Sequence, residues 1–169
     1  MADDIRIGVF VCDCGTNIAG IVNVPEVVAY ARTLNHVTWA DEGKWSCSVD
    51  YLKRMQDQIK EHRINRVVVA SCTPRTHEPL FKRTTREAGV NPYLLEFVSI
   101  REQVSWVHMR EPQVATEKAK DLVKMGVAKA ALLEEGDEIR LPVKTDCLII
   151  GGGMAGMNAA LSVAVQGFN

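Results

Sequence analysis

The chain has 169 residues, room for one ordinary domain or for one domain and part of a second. Hydrophobic residues make up 47% and aromatics 6%, a composition that supports a packed core and argues against disorder. With 20 basic and 21 acidic residues the net charge is -1, so nothing in the balance supports nucleic acid or an anionic membrane as a partner.

The start, Met1-Ala2-Asp3-Asp4, is acidic and leads directly into a strand, which reads as no signal peptide. No apolar run approaches the roughly 18 residues of a membrane span, and a cytoplasmic protein is expected. Ile5-Arg6-Ile7-Gly8-Val9-Phe10-Val11 reads as a buried strand. Pro25 is placed as the first helical residue before Glu26-Val27-Val28-Ala29-Tyr30-Ala31-Arg32. A short strand follows at 37–40. Ser48 or Asp50 caps a helix over about 50–61, with Tyr51, Leu52, Met55 and Ile59 on one face. Val67, Val68 and Val69 form the clearest strand, continuous rather than alternating, as burial on both faces requires.

Pro74-Arg75-Thr76-His77-Glu78-Pro79 opens a helix that runs to about Glu87, where Gly89 stops it, and 93–98 form a fourth strand. Ser99 to Pro112 reads as a loop with a short helix. Val114 to Leu133 reads as a long helix rich in Ala, Lys and Glu. Alternation of strand and helix predicts an α/β fold. The expected architecture is an open, mostly parallel sheet with helices on both faces (Rossmann or flavodoxin-like), occupying residues 1–133.

Residues 134–144, which begin with Glu134-Glu135-Gly136-Asp137-Glu138, read as a linker. Cys147-Leu148-Ile149-Ile150 then reads as a strand leading into Gly151-Gly152-Gly153-Met154-Ala155-Gly156, with a small-residue helix from Met157 to about Gln166. A glycine motif between strand and helix is the context for dinucleotide binding: Gly151, Gly153 and Gly156 permit the turn, the pyrophosphate approach and close helix packing. The acidic residue expected on the ribose belongs to a following strand that the chain does not contain. Residues 145–169 therefore read as the truncated start of a flavin or nicotinamide domain, one βα unit of a second Rossmann-type domain.

Chemistry is concentrated in the cysteines. Cys12 and Cys14 close the first strand, Cys47 follows the second by a short loop, and Cys72 ends the third. In an open parallel sheet the carboxyl ends of the strands line one edge, where ligands bind. Four convergent thiolates suit an iron–sulfur cluster or a zinc ion. Residues i and i+2 of a strand point to the same side, so Cys12 and Cys14 can face one ligand. Cys12 also has a bland reading as a core residue, since free cysteine is among the most buried types. Cys147 is expected to pack against a helix from within the last strand. His77 either hydrogen-bonds a cluster sulfur or replaces a ligand, or it belongs to the helix start, and Arg75 is either a charge near the site that raises a cluster's potential or a solvated loop arginine. Trp39, Trp45 and Trp106 either shield the site from water or fill the core.

Long stretches carry a resemblance. Val11-Cys12-Asp13-Cys14-Gly15-Thr16-Asn17-Ile18-Ala19-Gly20, Val69-Ala70-Ser71-Cys72-Thr73-Pro74-Arg75-Thr76-His77-Glu78-Pro79 and Asn91-Pro92-Tyr93-Leu94-Leu95-Glu96 resemble the N-terminal region of the heterodisulfide reductase A subunit. So do Ile100-Arg101-Glu102-Gln103-Val104-Ser105-Trp106-Val107-His108 and Ile150-Gly151-Gly152-Gly153-Met154-Ala155-Gly156. The resemblance implies a larger protein in which an iron–sulfur domain precedes a thioredoxin-reductase-like FAD domain. It implies a [4Fe–4S] cluster on Cys12, Cys14, Cys47 and Cys72, and FAD pyrophosphate contacts from Gly151, Gly153 and Gly156. It further implies electron transfer with other heterodisulfide-reductase-type subunits and an electron-donor protein. Family members often carry cysteine where this chain has Val104. No complete active site is expected in this chain alone.

Overall fold

A computed structural model describes residues 4–137, 139 and 141–168, so Met1–Asp3 and Glu138 of the sequence reading lie outside the described residues. The chain divides into two units, Met1–Gly136 and Asp137–Asn169.

The first unit is built on four strands, β1 (Ile7–Asp13), β2 (Val37–Lys44), β3 (Arg66–Ser71) and β4 (Leu95–Ser99). All pair in parallel, in the order β2-β1-β3-β4. The connections are α1 (Val24–Ala31) after β1, α2 (Val49–Glu61) after β2 and α3 (Pro74–Glu87) after β3, while α4 (Pro112–Ala131) follows β4. This is the expected α/β architecture, and the Rossmann-like description fits it.

Side chains of β1 and β3 separate onto two faces. Ile7, Val9, Val11, Val68 and Ala70 pack with Val24, Val27, Val28, Ala115, Ala119 and Val123 of α1 and α4. Phe10, Val67 and Val69 pack with Tyr51, Met55, Ile59 and Phe81 of α2 and α3. The sheet is therefore covered on both sides, as continuous apolar strands require. Because α1 and α3 leave neighbouring strands toward opposite faces, the strand order reverses between β1 and β3. In such sheets that switch point opens a crevice at the carboxyl edge.

Element limits move where pairing overrides propensity. β2 runs to Lys44 rather than stopping at residue 40, because Asp41, Glu42, Gly43 and Lys44 stay in register with Phe10, Val11, Cys12 and Asp13 of β1. Ser48, not Asp50, caps α2: its hydroxyl accepts the Tyr51 N–H at 3.4 Å. Residues Pro92–Leu94 form a short 3-10 turn, so β4 starts at Leu95. The loop after β4 contains a π-helical turn, Arg101–Ser105.

In the second unit the expected strand Cys147–Ile150 is not formed among the described residues. A strand needs a ladder partner, and Leu148 and Ile150 are 85% and 90% exposed. Cys147 is also exposed, which corrects its expected packing against a helix. The helix of this unit, α5, spans Met154–Val165 and so begins three residues before its expected start. Two features of a tight glycine turn are present: Gly151 has φ +116°, and a Cβ on Gly156 would collide with the Gly151 carbonyl oxygen. No helix among the described residues is long and apolar enough to cross a membrane.

Candidate metal centre

Three strands deliver the four cysteines of the first unit to the carboxyl edge of the sheet. Cys12 is the penultimate residue of β1 and Cys14 follows its end. Cys72 comes directly after β3, the strand on the other side of the switch point. Cys47 lies in the turn between β2 and α2, where Ser48 N–H donates to the Trp45 carbonyl at 2.7 Å. Cys12 and Cys72 are buried, Cys14 is half-buried and Cys47 is exposed.

Burial pushes the Cys14 thiol above its ordinary value, and negative charge on Cys12, Cys72 and Cys47 adds to the rise, while the Arg101 guanidinium opposes it. Cys47 is shifted in the same direction, first by desolvation of its sulfur and then by Cys12 and Cys72, against a backbone hydrogen bond that favours its thiolate. Like charges in a partly dry pocket destabilise free thiolates. A cation or a metal cluster among them removes that cost.

Single-ion geometry is a separate matter. A structural zinc holds each sulfur at about 2.3 Å from one point. Among the described residues no group of three or more His, Cys, Asp or Glu side chains is arranged to hold a metal ion, so the four sulfurs are not closed on one point.

Local structure around each sulfur is ordered by hydrogen bonds. After Cys14 the chain enters a 3-10 turn, Gly15–Asn17, in which the Cys14 carbonyl accepts from Asn17 N–H at 3.1 Å. The Cys72 carbonyl accepts the Ser99 hydroxyl at 2.6 Å, fastening the end of β3 to β4. Ser71 hydroxyl lies 3.8 Å from Cys72 Sγ. Thr73 begins α3 with its hydroxyl buried and unpaired, instead of capping the helix.

Other sequence candidates fall into place differently. Trp39 stands opposite Gly8, toward the amino end of the sheet, and stacks on His62 with ring centroids 4.1 Å apart. It is thereby removed from the cysteine edge. Trp45 and Trp106 are 60% and 48% exposed, so neither fills the core. His77 and Arg75 lie in the first turn of α3 after Cys72. Val104 is fully buried in the same core cluster as Cys12 and Ile18. Sequence reasoning missed Ser105, which reaches the turn after Cys14 from beyond β4, and Arg101 in the same π-turn. Gly151, Gly153 and Gly156 belong to the second unit.

No family model matches the chain. Curated relatives match it along nearly its whole length. It is 52% identical over 166 residues to an iron–sulfur A subunit of the CoB–CoM heterodisulfide reductase of Methanopyrus kandleri, covering 98% of this chain and 25% of that protein. Identity is also 52% over 166 residues to the A subunit of the H(2):CoB-CoM heterodisulfide,ferredoxin reductase of Methanothermobacter marburgensis, with the same coverage. A protein of Archaeoglobus profundus, named for its likeness to the heterodisulfide reductase A subunit, is 46% identical over 98% of this chain and 24% of that protein. The chain is thus homologous over 98% of its residues to proteins named as heterodisulfide reductase A subunits, and it spans about a quarter of their length.

Proposed function

We propose that the first unit is an electron-transfer module of a heterodisulfide-reductase-like A subunit, with Cys12, Cys14, Cys47 and Cys72 holding a [4Fe–4S] cluster. What supports this reading is that the four cysteines stand at or just past the carboxyl ends of three neighbouring strands of one sheet, on both sides of its switch point. When bound, such a cluster accepts and releases single electrons. The protein's own contribution is to bind and orient it. Cys12 and Cys72 supply buried sulfurs on rigid strand ends, while Cys14 and Cys47 close the site from two surface turns.

Exposure at Cys47 leaves one side of the site near the surface, as exchange of electrons with a partner requires. Partners in this reading are other heterodisulfide-reductase-type subunits and an electron-donor protein. Free thiols in this number fit a reducing compartment, hence the cytoplasm. The second unit is proposed as the beginning of a FAD-binding domain. Its support is the tight turn at Gly151, the close approach of Gly156 and the α5 N-terminus following Gly153.

Iron, acid-labile sulfide and zinc are to be counted after anaerobic purification and reconstitution. About four irons and four sulfides per chain are expected. Stoichiometric zinc, or no metal at all, would replace this reading by that of a structural or interaction domain.

A further inference from the structure

The loop after β4 lies outside the sheet, yet hydrogen bonds tie it to the turn after β1. Ser105 N–H donates to Ile100 carbonyl at 3.1 Å and Trp106 N–H to Arg101 carbonyl at 2.9 Å, the wide spacing of a π-turn. Such turns occur as single-turn insertions, frequently at functional sites. The Ser105 hydroxyl donates to the Asn17 carbonyl at 2.5 Å, and the Trp106 indole N–H donates to the Asn17 side-chain oxygen at 3.4 Å. Both contacts end on the short turn that follows Cys14.

Arg101 begins this turn. Its guanidinium carbon stands 4.6 Å from the centre of the Trp106 ring, a cation–π contact that fixes its direction. The side chain is 22% exposed, its Nε is buried without a hydrogen-bond partner, and its nearest carboxylate contact, Glu102, is a loose 3.6 Å. A buried guanidinium N–H lacking an acceptor is costly. The Trp106 ring that carries the guanidinium is hydrogen-bonded to Asn17, whose backbone N–H donates to the Cys14 carbonyl at 3.1 Å.

Resting on the four-thiol reading above, we propose that Arg101 is the counter-charge of the cysteine site, held there by the π-turn and the Trp106 ring. It is a positioning residue that acts on the cluster's charge and donates no ligand. A four-thiolate cluster is anionic, and reduction adds a further negative charge. A fixed guanidinium stabilises the reduced form more than the oxidised one and so raises the reduction potential.

The test is a redox titration followed by electron paramagnetic resonance on the reconstituted 169-residue chain, with iron and sulfide counted in each sample. R101Q is expected to keep full iron while its one-electron reduction equilibrium falls roughly tenfold, about 59 mV. R101K is expected to recover most of that shift, because it restores the charge. Full iron in R101Q with an unmoved potential overturns the role of Arg101 and leaves the cluster reading intact. Absence of iron from the unsubstituted chain overturns both. If R101Q loses iron, recovery of iron in R101K supports the counter-charge, and failure to recover it refutes the proposal.

Discussion

The Ser105 hydroxyl donates to the Asn17 carbonyl at 2.5 Å across 88 residues of sequence, joining the π-turn after β4 to the turn after Cys14. Ser105 is fully buried, and its hydroxyl also approaches the Arg101 carbonyl at 3.2 Å. Removing it deletes a part-buried hydrogen bond to the exposed turn at Asn17. Ser105→Ala is therefore expected to cost about 0.5–1.5 kcal/mol in urea unfolding of the metal-free chain. A loss below about 0.5 kcal/mol would mean that the tie is energetically idle.

Cys72→Ser and Cys14→Ser are each expected to abolish stable retention of iron, whereas Cys147→Ser, in the exposed segment of the second unit, leaves iron and sulfide unchanged. The check is metal analysis after gel filtration of the reconstituted variants. Full iron in a serine variant removes that cysteine from the ligand set.

Gly43 lies in β2 directly against the Tyr51 ring, and a Cβ there would collide with it. Gly43→Ala is expected to force the ring aside and destabilise the first unit by about 1–3 kcal/mol, read by urea unfolding. An unchanged midpoint would show that Tyr51 has room to move.

Burial pushes the Tyr51 phenol above its ordinary range, with the charge of Asp41 adding to the effect and Arg54 opposing it. The folded state thus holds the proton more tightly than the unfolded chain. This contribution is complete below the unfolded value of about 10 and is lost as pH rises from there toward the higher folded value. Tyr51→Phe also removes a buried hydroxyl that has no partner. Between about pH 9 and pH 11 its stability is expected to fall less than that of the unsubstituted chain, measured by urea unfolding across that range. Parallel losses would assign the alkaline sensitivity to other groups.

Much of the sheet was legible because burial writes itself into composition. Val67, Val68 and Val69 need apolar cover on both faces and have it. The second half of β2 was hidden, since Asp41, Glu42, Gly43 and Lys44 lack strand propensity and are held by their register with β1. The π-turn has no periodic signature, so Arg101–Ser105 read only as a loop with a short helix. Cys147–Ile150 has a strand's composition but finds no ladder partner among the described residues, so its apolar side chains lie exposed.

The placement of the candidate cysteines at one edge was legible for a topological reason. Residues at the ends of parallel strands fall on the carboxyl edge of an open sheet, whatever their separation in sequence. Arg101 was not, because the place of its π-turn against the turn after Cys14 depends on β4 lying beside β3.

The most direct test is the low-temperature electron paramagnetic resonance spectrum of the reduced, reconstituted chain, with spins counted against protein. A [4Fe–4S] signal of about one spin per chain is expected, and it should disappear in Cys72→Ser. A silent spectrum from protein that binds zinc, or no metal, in the same preparation would contradict the cluster assignment.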